Sequence, residues 1–177
     1  VRNQGQLAHV GNEVVQDVVT ADGHFEENGA VNFILAQMTM PDEGVQLTAK
    51  FTKQFLGIQV QCTQCHDHPF NDWKQDQFWQ FNSFFRQTAK VDHRKYDPDS
   101  GRMVDDYSEV VWRNINEEEV FFERRNGIVR PAYPIFLDNK IDPDTAVDRR
   151  AELGTLMRED KDKMVARAAV NRMWGHF

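Results

Sequence analysis

The sequence predicts a mainly α fold, helices gathered around one centre with a small antiparallel β-ribbon attached. Three observations carry this expectation. Apolar residues recur at steps of three and four through Leu47, Phe51, Phe55, Ile58, Cys62 and Cys65, and again through Phe78, Phe81 and Phe85, which is the periodicity of a helix face. Helix-start signals stand at Asn12, at Asp72 and at Asp144 or Thr145. β-prone residues are concentrated between Val110 and Leu137, around the tight-turn pair Asn126-Gly127.

In chain order, Asn12 caps a short amphipathic helix that carries Val14, Val15, Val18 and Val19 and is ended by Gly23. A second helix runs from about Ala30 to Met38 with Val31, Ile34, Leu35 and Met38 on its inner side, and Met40-Pro41-Asp42-Glu43-Gly44 turns the chain. The third helix carries the stripe that ends in the two cysteines. Leu56 and Val60 lie on its other side, so burial on both sides is expected. Pro69 forces His68 out of helical geometry, and Asp72 with Gln75 reads as the capping box of a fourth helix. Trp79 and Phe84 stand beside Phe78, Phe81 and Phe85 there, giving a wall of aromatic rings.

From Lys90 to Asp106 the chain is polar and reads as irregular around the turn from Tyr96 to Gly101. A calcium loop through Asp97, Asp99 and Ser100 lacks the distal glutamate of an EF-hand, so a solvated turn is expected. The ribbon draws on Val110-Val111-Trp112, Val120-Phe121-Phe122 and Gly127-Ile128-Val129, with Pro131 and Pro134 keeping its second half at an edge. A helix from Asp144 or Thr145 to Arg158 follows, then a last one starting near Asp160 to Asp162. That last helix is apolar on nearly every side, which predicts burial and requires anionic partners for Arg167 and Arg172.

The 177 residues bound the chain to one domain or slightly more, and 40% hydrophobic with 28% charged residues is a globular composition. A net charge of −7 argues against a nucleic-acid surface, and no apolar run is long enough to span a membrane. No Gly-x-Ser-x-Gly or paired-carboxylate pattern stands out.

Both cysteines fall in Cys62-Thr63-Gln64-Cys65-His66. Cys-x-x-Cys-His is the spacing of covalent c-type haem attachment: two thiols add to the two vinyl groups, and the adjoining histidine offers a ring nitrogen to the iron. Three readings compete. Zinc would need four ligands, and Cys62, Cys65, His66 and His68 crowd a tetrahedron. A redox Cys-x-x-Cys belongs at a helix N-terminus in a βαβ pattern, which does not flank this one. A disulfide across so short a loop is strained. On the haem reading Cys62 and Cys65 are thioether anchors and His66 the proximal ligand, while Asp67 or His68 orients His66 or lines the haem rim. His68 is too near His66 in the chain to reach the opposite face of the iron. The distal candidates are His176 and Met40, beside an open or water-bound iron. His24 and His93 lie in polar surroundings and Met103 in the irregular stretch.

The run Asn28-Gly29-Ala30-Val31-Asn32-Phe33, then Phe55 through Phe70, then Trp73 and Gln75, resembles the secreted planctomycete-type cytochrome c domain family, in the second of its named domain types. The stretches Val147 to Leu153 and Ala166 to Phe177 look like the junction with the uncharacterised domain that usually follows. The resemblance implies a haem domain over residues 1–137 with a β-ribbon insertion, and a helical junction over 138–177. It also implies one covalent haem c, an exported protein in the periplasm or outside the cell, and a chain that begins before Val1 and continues past Phe177. The expected cofactor-binding set is Cys62, Cys65, His66, Asp67, His68, Phe70, Phe81 and Phe85. The expected function is electron transfer to a redox partner protein. The alternatives are a haem enzyme module with an open iron site and a structural metal- or haem-binding domain.

Overall fold

A computed structural model describes residues 4–39, 42, 44–113, 120–141 and 147–175. Within them the helices are α1 (Gln4–Val19), α2 (Val31–Gln37), α3 (Val45–Phe51), α4 (Gln75–Asn82), α5 (Arg149–Glu159) and α6 (Met164–Trp174). The strands are β1 (Gly23–His24), β2 (Thr88–Asp97), β3 (Arg102–Trp112), β4 (Val120–Glu123), β5 (Val129–Ala132), β6 (Ile135–Phe136) and β7 (Asn139–Lys140). With 43% helix and 23% strand in three small sheets, the fold is mixed α/β and not mainly α.

The difference arises between Lys90 and Trp112. This stretch is not irregular: β2 and β3 form an antiparallel hairpin from Thr88↔Trp112 to Asp97↔Arg102, with a bulge at Asp92/Arg94 and β1 on the far edge of β3. Much of the hairpin is exposed on both faces, so it shows no apolar alternation. Ion pairs line it instead, Arg94 to Asp105 at 3.2 Å and Lys95 to Asp106 at 2.8 Å. Val110, Val111 and Trp112 therefore belong to β3, and the expected ribbon is reduced to β4 against β5, from Val120↔Ala132 to Glu123↔Val129.

Among the described residues the helices pack directly on one another. Val15, Ile34, Leu47, Phe51, Phe81, Phe85, Phe136, Leu153 and Val165 share one core, filled by rings packed on rings. Phe51 lies 4.6 Å from Phe55 and 5.3 Å from Phe85, and Phe81 lies 6.0 Å from Phe136, measured between centroids. Leu47, Phe51, Phe55 and Ile58 do share this core. The helix that carries them ends before the cysteines. Thr52 returns its hydroxyl to the Thr48 carbonyl at 2.8 Å, residues Thr52–Leu56 widen into a π-turn, and Gly57 at φ +70° closes it. A left-handed residue at that point breaks the stripe.

Other boundaries also shift. α1 begins well before Asn12, which lies inside it, and α5 is capped by Asp148, whose Oδ1 accepts the Arg150 and Ala151 N–H groups. Asp144 and Thr145 lie outside the described residues. α6 is not buried on all sides. Val165 and Ala168 face the core, whereas Val170, Met173 and Trp174 are exposed. Arg167 is exposed, and Arg172 is exposed and donates to neutral acceptors, the Gln54 side chain and the Lys53 carbonyl.

Candidate functional site

Beyond Gly57 the chain runs without regular structure to Val60, which is fully buried, and then forms a single 3₁₀ turn, Gln61–Gln64. Thr63 is the buried residue of this turn, its hydroxyl donating to the Val60 carbonyl at 2.6 Å. Cys62 lies within this turn and Cys65 is its C-cap, its N–H donating to the Cys62 carbonyl at 3.4 Å. Cys62 is half-buried and Cys65 exposed, and both are uncombined thiols.

The His66 ring is oriented by its neighbour. Nδ1 lies 2.6 Å from the Asp67 carbonyl oxygen, which can only accept, so Nδ1 carries a proton and, in the neutral ring, Nε2 is the nitrogen with the lone pair. His68 is fully engaged: Nε2 donates to the Gln59 carbonyl at 3.1 Å, Nδ1 accepts the Phe70 N–H at 3.1 Å, and its own N–H donates to the Trp73 carbonyl at 2.8 Å. It ties the segment after the motif back to the segment before it.

α4 holds the motif from beneath. Asp67 Oδ1 accepts the Gln75 N–H at 3.1 Å, which makes it an N-cap supplied from eight residues upstream. That N–H, ahead of the Lys74 ammonium 3.3 Å from Oδ2 and of Arg124, holds the Asp67 carboxyl below the usual carboxylate range. The capping box expected at Asp72 and Gln75 lies two residues on, where Gln77 Oε1 accepts the Lys74 N–H at 2.8 Å. The buried Gln75 side chain donates to the carbonyls of Gln64 and Glu123, each at 3.0 Å, and Trp79 Nε1 also donates to Gln64 at 3.1 Å.

Gln75 thus brings the β4–β5 turn alongside the motif. Gly127 at φ +79° permits this turn, which Asn126 Oδ1 braces by accepting the Ile128 N–H at 3.2 Å. Arg124 grips both carboxylate oxygens of Asp76 on α4. Between motif and turn lies an open recess of about 450 Å³, lined by His66, Asp67, Gln75, Arg124, Arg125 and Asn126.

Of the other residues singled out in the sequence, Phe70 is 92% exposed at the tip of the loop, its ring 6.2 Å from that of His68. Phe78, Phe81 and Phe85 are buried, the last two in the common core with Phe51 and thus away from the recess. Met40 and His176 lie outside the described residues. The His93 ring stacks on Tyr107, which the His24 ring meets at a tilt, and His93 pairs with Glu109 at 2.7 Å. Among the described residues no three His, Cys, Asp or Glu side chains converge as an ion site. Arg124 and Arg125 carried no signal in the sequence, being some 60 positions from the motif with no periodic relation to it.

Residues 11–90 match the model of the PSCyt2 family, described as a protein of unknown function (DUF1549). The matched stretch runs from α1 through the motif and α4 into β2. No curated protein and no solved structure matches the chain.

Proposed function

We propose that this chain is a c-type haem domain that transfers electrons, with Cys62 and Cys65 as the thioether anchors and His66 as the axial ligand. The observation that carries this reading is the state of His66: Nδ1 is committed to a backbone carbonyl, and the nitrogen left with a lone pair, Nε2, belongs to a ring that lines an open recess. Two free thiols, one in a 3₁₀ turn and one at its C-cap, complete the donor set.

The same arrangement is poor for zinc. With both ring nitrogens of His68 engaged, Cys62, Cys65 and His66 are one ligand short of a closed tetrahedral site. A porphyrin brings four nitrogens of its own and asks the protein for one axial nitrogen and two thiols. When bound it would supply a one-electron iron couple. The chain's own residues would then anchor it, keep the His66 ring in one tautomer through Asp67, and hold the loop closed through His68. Cys65 and Phe70 are exposed, so they would be open to a haem held at the surface. A surface haem suits exchange with a redox partner protein in the periplasm or outside the cell.

The test is the protein matured in a host with c-type haem attachment. Acid-acetone extraction should leave the colour on the chain, and the alkaline pyridine spectrum should be that of a haem held by two thioethers. Colour in the solvent, or a colourless protein with stoichiometric zinc, overturns the reading. If haem is present, reduction by a small mediator separates electron transfer from a purely structural haem. A five-coordinate iron would instead mark an enzyme module.

A further inference from the structure

We propose that the turn carrying Arg124, Arg125 and Asn126 is a carboxylate seat that binds a haem propionate; this rests on the haem reading above. The recess has two walls. One is the motif, with His66 and Asp67, and the other is this turn. On a chain of net charge −7, this wall carries two consecutive arginines.

Their charges are not equivalent. Arg124 is bound through both oxygens of Asp76 and serves to pin the turn to α4. Arg125 is exposed and has no ion-pair partner among the described residues. Asn126 commits its oxygen to the Ile128 N–H, which leaves its amide nitrogen as a donor. The one anion on the opposite wall, Asp67, is compensated by the Lys74 ammonium at 3.3 Å and the Gln75 N–H. The recess therefore offers an uncompensated guanidinium and an amide donor beside the proposed axial histidine, the chemistry that binds a carboxylate.

The seat is also rigidly placed. Gln75 holds the carbonyl preceding Cys65 and the carbonyl preceding Arg124 on one side-chain amide. The distance between thioether anchor and cation is thus set by a buried group and not by two exposed loops.

The experiment compares haemin with its dimethyl ester, which lacks the carboxylates, in titrations of the apo-chain with thiols reduced. The wild type should prefer haemin about tenfold, the scale of one charge-assisted hydrogen bond. R125Q should bind both compounds alike and R125K should keep part of the preference. Because Arg125 is exposed, its circular dichroism should match the wild type. An undiminished preference for haemin in R125Q overturns the seat alone. A chain that binds neither compound, and carries no thioether haem after maturation, removes the haem reading and the seat with it.

Discussion

The side-chain amide of Gln75 donates to the backbone carbonyl of Glu123, 3.0 Å away and 48 residues later in the chain. Its second donor bond goes to the Gln64 carbonyl. A residue at the start of α4 therefore joins the cysteine motif to the β4–β5 turn, and the recess exists because of it.

Replacing Gln75 by Leu should cost about 1–3 kcal/mol, since the partly buried Glu123 carbonyl loses this donor while Gln64 retains Trp79. Urea unfolding measures the loss, and thioether haem content per folded chain should fall with it. An unchanged denaturation midpoint would mean that the carbonyls find other donors.

Phe81→Ala removes a ring that touches Phe51, Phe84, Phe85 and Phe136 in the core. The expected loss is about 3–5 kcal/mol from lost transfer free energy and a residual cavity. The visible spectrum of the matured protein should not change, because the ring lies away from the recess. A shifted Soret band would place Phe81 against the porphyrin after all.

Gly57→Ala forces a side chain into the left-handed region at φ +70° and sets a Cβ 3.3 Å from the Ala168 Cβ of α6. The backbone alone should cost about 1–2 kcal/mol. Thermal unfolding checks it, and wild-type stability would show that the π-turn re-forms differently.

The Asp67 carboxyl is held below its ordinary value in the folded chain, chiefly by the Gln75 N–H and then by Lys74. A depressed folded value means that its stabilising contribution is complete above the unfolded value, about pH 4, and is lost as pH falls through the lower, folded one. Asp67→Asn should therefore unfold more readily than wild type at neutral pH and converge with it in acid. Parallel stability curves across that window would show that the carboxylate charge contributes nothing.

The Cys-x-x-Cys-His spacing was legible in the sequence because it is local. Cys62, Cys65 and His66 are adjacent in the chain, and their spacing speaks without a fold. The aromatic character of α4 and the burial of Phe78, Phe81 and Phe85 were legible too, because a helix face has a period. The β2–β3 hairpin was not, since strands wet on both faces lack alternation and are held by backbone pairing and cross-strand charges.

By itself, then, the sequence determined where the Cys-x-x-Cys-His spacing stands and which rings are apolar enough to build a core. Only the tertiary structure decided that those rings pack on one another and that Arg124, Arg125 and Asn126 stand opposite His66. The physical reason is the same in both cases. Gly57 in a left-handed conformation turns the motif off the helical stripe, and a buried amide with two donors then selects carbonyls 11 residues before it and 48 after it. Neither a chain reversal nor a long-range hydrogen bond leaves a period to read.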